Sequence, residues 1–176
     1  LAELEDEFTE ADKVTEQLNK LPTTAKPDSK EAVEAYEAGK KAYEALGEDK
    51  SKVDPKAVMK LDALKAELTD YKITKGNGSR WVKGSSTGLT VIANGYFGNF
   101  TGVKVNGKLI DSDNYTAKSG STIVTLKVEY LQKLKTGKYT IAICYGDGDF
   151  TGEASGEFRV VTYNGNPFTG YNTNIF

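Results

Sequence analysis

Lys75-Gly-Asn-Gly-Ser79 is the stretch on which the fold turns, because the sequence changes character across it. Up to Lys72 there are 2 Gly, 12 Lys and 18 Asp+Glu, a charge balance of −6; beyond it there are 16 Gly and a balance of +4. Ala, Glu, Lys and Leu dominate the first part, as helix formers do. Two glycines around an Asn interrupt any regular period, so the stretch reads as a boundary.

Upstream, the apolar residues step at helical intervals. Val14, Leu18 and Leu21 share one face, and Pro22 and Pro27 interrupt. Asp28 or Ser29 can cap a second helix striped by Val33, Tyr36, Tyr43 and Leu46 and stopped by Gly47. Asp54-Pro55 opens a third, lined by Val58, Leu61, Leu64 and Leu68. Tyr36 and Tyr43 are core or boundary residues at this spacing, and the acidic residues between them form a solvated face.

Downstream, the period shifts to two. Leu89–Ala93, Val103–Val105, Thr122–Leu126, Tyr139–Ile143 and Glu157–Val160 alternate or run apolar over strand lengths. Asn106-Gly107 and Ser119-Gly120 are hairpin turns, and Val128–Leu134 makes one or two helical turns. About seven strands at this spacing point to a β-sandwich. The predicted fold class is α+β as two separate domains, an N-terminal three-helix bundle and a C-terminal immunoglobulin-like β-sandwich. The boundaries are 1–74 for the bundle, 75–79 for a linker, 80–162 for the sandwich and 163–176 for a flexible tail.

Composition removes several chemistries. The 176 residues include no His, which excludes Ser/His/Asp and Cys/His catalysis and histidine zinc sites. One Cys, Cys144, allows no internal disulfide; in its strand-like setting it reads as a buried apolar side chain. No apolar run approaches the ~20 residues that cross a bilayer. A balance of +4 without a basic run gives no footprint for nucleic acid. No pair of the 25 acids sits in a glycosidase motif, so the chain is expected not to be an enzyme.

Asn94-Gly95, Phe100-Thr-Gly102, Leu109, Asn114-Tyr-Thr116, Val124-Thr-Leu126, Tyr130-Leu131, Leu134 and Gly137 occur in an order that resembles the immunoglobulin-like X modules of cellulosomal scaffold proteins. The resemblance covers roughly residues 78–161 and implies a spacer, solubiliser or weak polysaccharide binder. Leu18, Leu21-Pro22, Ala32-Val33, Ala42-Tyr43, Leu46, Lys52-Val53 and Leu61 are similar to small three-helix modules of Firmicutes surface proteins. Asn166-Pro167-Phe168-Thr169-Gly170 resembles a sortase signal of the Leu-Pro-x-Thr-Gly kind, with Asn in first place; a plain polar terminus is the other reading.

Three further site readings follow from the residues. Tyr96 and Phe97, between Gly95 and Gly98, could stack on sugar rings from a loop, with Asn94 holding hydroxyls. Asp147, Asp149, Thr151 and Glu153 place oxygens at alternate positions like the start of a calcium loop, which then lacks its closing carboxylate at Phe158. A Lys–Asn isopeptide crosslink through Lys104 or Lys127 is a third option. The expected whole is a monomeric, non-catalytic spacer of an exported Gram-positive surface protein, extracellular and wall-anchored through its tail. It needs no cofactor, or calcium alone. The alternative is a carbohydrate-binding module for a cell-wall or plant polysaccharide.

Overall fold

A computed structural model describes residues 7–146 and 148–163. Three helices come first: α1 (Glu10–Asn19), α2 (Lys30–Ala45) and α3 (Pro55–Leu68). Each starts where its sequence provides a cap. Thr9 and Asp12 form a reciprocal capping box, Ser29 accepts from the Ala32 amide, and Asp54 accepts from Lys56 ahead of Pro55. Their buried stripes, Val14/Leu18, Val33/Tyr36 and Leu61/Leu64/Leu68, meet in one cluster. At Gly39 an added Cβ would lie 3.0 Å from the Leu18 side chain, so the missing side chain lets α1 and α2 approach.

Among the described residues nine strands and a short helix follow: β1 (Ile73–Lys75), β2 (Ser79–Val82), β3 (Leu89–Ala93), β4 (Phe100–Val105), β5 (Lys108–Leu109), β6 (Tyr115–Ser119), β7 (Thr122–Leu126), α4 (Val128–Lys133), β8 (Gly137–Tyr145) and β9 (Gly152–Val161). One sheet has the order β1-β3-β7-β6, all antiparallel; the other runs β2-β9-β8-β4-β5, with β2 parallel to β9. Alternation decides the inner faces. Leu89, Val91, Ala93, Val124 and Leu126 from one sheet meet Trp81, Val103, Ile141, Ile143, Phe158 and Val160 from the other in a single core. Trp81 is fully enclosed and donates its ring N–H to Thr87 O at 2.8 Å.

The expectation of two separate domains, an N-terminal three-helix bundle beside a C-terminal immunoglobulin-like β-sandwich, is corrected by how these cores close. The three helices do not complete a core of their own. Phe150, in the turn between β8 and β9, is 3% exposed and belongs to the helical cluster, with Tyr96 packed beside it. In return Tyr71, just past α3, sits in the core between the sheets and stacks on Tyr145 at 4.2 Å. The chain is one α+β arrangement of helices and two sheets that exchange aromatic side chains.

Residues 75–79 lie at the end of β1 and the turn into β2. Gly76 and Gly78 have φ of +89° and +78°, and a Cβ at Gly76 would lie 2.4 Å from the Thr90 carbonyl. This turn moves the chain from one sheet to the other, and Asn77 Oδ1 accepts from the Glu157 amide at 2.9 Å.

Burial also sets an alkaline limit on the fold. Tyr71 is pushed up to about 12, mainly by burial, and burial likewise raises Tyr36 and Tyr145. Between the ordinary value near 10 and these raised values, the unfolded chain loses tyrosine protons that the folded chain keeps. Stability therefore falls as pH rises through that window. Urea midpoints measured from pH 8 to 11.5 are expected to decline above pH 10. A flat profile would mean that these hydroxyls ionise freely in the fold.

Candidate functional site

The junction between helices and sheets is held by several side-chain contacts. The 3-10 turn Gly148–Phe150 lies against α2 and α3. The Phe150 ring meets Tyr36 edge-on at 5.4 Å, and its carbonyl accepts from Tyr71 Oη at 2.6 Å. Next to it, the Asp149 carboxylate accepts from Tyr36 Oη at 3.2 Å and pairs with Lys40 and with Lys65, the latter at 3.4 Å. The Lys40 hydrogen bond is the main reason that Asp149 is held below the usual carboxylate range.

Asn94 closes a second seam. Its Oδ1 accepts from the Lys72 amide at 2.7 Å, its Nδ2 donates to Asp70 O at 3.1 Å, and its own amide donates to Lys72 O. Tyr96 donates its amide to Pro27 O at 3.1 Å, and Ser121 Oγ donates to the Asp28 carboxylate at 2.8 Å. Under the seam, Tyr145 Oη donates to Thr122 Oγ1, which donates to Gly95 O.

These contacts decide where the residues proposed for sugar and calcium stand. Asn94 has its amide committed to the backbone, and Tyr96 is half-buried against the helices. Phe97 is half-buried and meets Phe100 edge-on at 5.6 Å, and Phe100 meets Tyr115 in the same way. Asn94, Tyr96 and Phe97 each stay partly exposed. Of the calcium set, Asp147 lies outside the described residues, as do Asn166, Pro167, Phe168, Thr169 and Gly170. Asp149 faces two ammonium groups, Thr151 Oγ1 donates to Gly148 O, and Glu153 pairs with Lys104 at 2.5 Å. Among the described residues no three His, Cys, Asp or Glu side chains form a group able to hold a metal ion. Lys127 begins the turn into α4.

A different feature escaped sequence reading. The outer face of β4, β8 and β9 carries a groove of about 490 Å³ lined by Lys104, Thr140, Ala142, Glu153, Ser155, Glu157 and the loop residue Asn77. Register explains it: Lys104, Ala142 and Ser155 lie side by side across three strands, and the small central pair leaves the floor low. Its charges are neutralised in pairs, Lys104 with Glu153 and Lys138 with Glu157 at 2.9 Å. Cys144, buried and raised in pKa chiefly by burial, borders an adjoining hollow with Leu109.

No family model and no curated protein matches the sequence. Solved structures resemble parts of it. The tri-modular endo-β-1,4-glucanase B of Bacillus halodurans matches with a TM-score of 0.39 and 19% identity, over 60% of this chain and 20% of its own. The endo-β-1,4-mannanase of Thermotoga petrophila matches with a TM-score of 0.37 and 14% identity, over 62% of this chain and 25% of its own. A chimeric titin Z1Z2 matches at 0.36 and 14% identity, over 53% and 93%. This chain thus spans a fifth to a quarter of the length of the two enzymes. Likeness at these scores carries no argument about function. Among the described residues no helix is long and apolar enough to cross a membrane.

Proposed function

We propose that this chain is a non-catalytic spacer of an exported surface protein, built to transmit position rather than to react. One observation carries the reading: the Gly148–Phe150 turn is locked into the helices by a buried ring, a carboxylate with two ammonium partners and a tyrosine hydrogen bond. Interfaces between modules of one chain are ordinarily polar and mobile, whereas this one is built from exchanged core residues. A spacer needs that stiffness, because a free hinge would let whatever it carries collapse onto the surface. The lack of His and the pairing of Asp149 and Glu153 with lysines agree with a scaffold rather than an acid–base site.

Residual dipolar couplings test the reading. Helical and sheet amides are expected to fit one alignment tensor; two independent tensors would sink the rigid-spacer proposal. A second reading, a polysaccharide-binding module, is favoured by the groove over β4, β8 and β9, whose hydroxyl, amide and paired charged groups suit a hydroxyl-rich ligand.

A further inference from the structure

The chain contains two arginines, Arg80 and Arg159, 79 residues apart in sequence. The parallel pairing of β2 with β9 sets them directly opposite each other. On the other side of β9, Arg159 is opposite Lys138 of β8. All three side chains point outward, because their neighbours Trp81, Phe158 and Val160 fill the core. Three cations therefore stand in one row on the outer face, and both arginines are exposed without an ion pair among the described residues.

Like charges placed directly opposite on a sheet are destabilising, so this row costs the fold free energy. Lys138 is relieved by Glu157; the arginines are not. A paired set of planar guanidiniums suits an oxyanion held through bidentate hydrogen bonds. The row is continuous with the groove: Thr140 and Glu157, opposite each other on the next outward rung about 7 Å along the strands, are groove-lining residues.

We propose that this outer face binds an acidic polysaccharide, with the sugar hydroxyls in the groove and a carboxylate or phosphate on Arg80 and Arg159. The choice of a polysaccharide rests on the second functional reading; the choice of an anionic one rests on the arginine row. Charge complementarity selects the occupant, since the groove's own charges are already neutralised and the arginines supply the net positive end.

The test is affinity electrophoresis of the full chain against polygalacturonate, a phosphate-bearing mannan, neutral xylan and duplex DNA. The chain is expected to be retarded by one of the two anionic glycopolymers, which identifies carboxylate or phosphate as the source of the oxyanion. R80Q/R159Q should weaken that retardation at least roughly tenfold, the loss of about 1.4 kcal/mol or more, and R80K/R159K should recover part of it. K118Q/K127Q, which removes the same charge from the four-stranded sheet and its exit, should change it less than roughly twofold. Equal weakening by both glutamine doubles, or equal affinity for DNA, would overturn the proposal. Retention on xylan that ignores the arginines would overturn it while leaving the polysaccharide-binding reading intact. No retention on any polymer would remove both.

Discussion

Phe150→Ala is expected to cost about 3–5 kcal/mol of stability, the range for deleting a large buried aromatic side chain. The ring is 3% exposed and fills a cluster otherwise made by α1, α2 and α3. Those helices are 10, 16 and 14 residues long, too short to persist in water without a packed face. The lost ring therefore opens the helical core from the side where the sheets close it. Far-ultraviolet circular dichroism at 222 nm, followed in urea, should show the helical signal lost before the near-ultraviolet signal of Trp81. Coincident curves with a midpoint near that of the unmodified chain would show that the helices hold together without the turn.

The same residue explains what the sequence could and could not convey. Strands β3 and β7 were legible because Leu89-Thr-Val-Ile-Ala93 and Thr122-Ile-Val-Thr-Leu126 are short runs of apolar and β-branched residues, and burial alternates along both. The helices were legible because caps and stripes are local signals. Strand β2 was not, since only Trp81 among its inward positions is strongly apolar and its partner lies 79 residues away. Phe150 sits among Gly, Asp and Thr in a stretch that has the composition of an exposed loop. Its destination depends on Tyr36, 114 residues earlier, and no local pattern announces it.

The site suffered from the same blindness to distance. Asn94 and Tyr96 read as loop residues, and what local sequence does not announce is that the Asn94 side chain bonds Asp70 and Lys72 and the Tyr96 backbone amide bonds Pro27. Asp149 has the spacing of a calcium ligand, and the lysines that occupy it come from α2 and α3. The groove and the arginine row exist only through register. Shifting β9 by one residue against β8 would turn Arg159 inward and bury a charge, so the core alternation that fixes register also fixes the row.

Tyr71 offers the sharper test of a continuous structure, because it belongs to both sides at once. Its ring stacks on Tyr145 between the sheets, and its hydroxyl donates to Phe150 O in the turn that the helices hold. Tyr71→Ala should cost about 3–5 kcal/mol through the lost ring, with Tyr145 left facing a cavity. Tyr71→Phe keeps the stack and removes only the donor, leaving a buried carbonyl unpaired at a cost of about 1–3 kcal/mol. The decisive quantity is the coupling with Phe150. If the aromatic exchange binds helices and sheets into one cooperative unit, Tyr71→Ala and Phe150→Ala should be non-additive by about 0.5–3 kcal/mol, since the second deletion acts on a junction already opened by the first. Urea unfolding of the two single variants and the double variant measures this directly. Strict additivity, with helical and sheet signals melting separately in the unmodified chain, would mean that the junction is a contact between independent parts, and the argument for a stiff spacer would lose its physical basis.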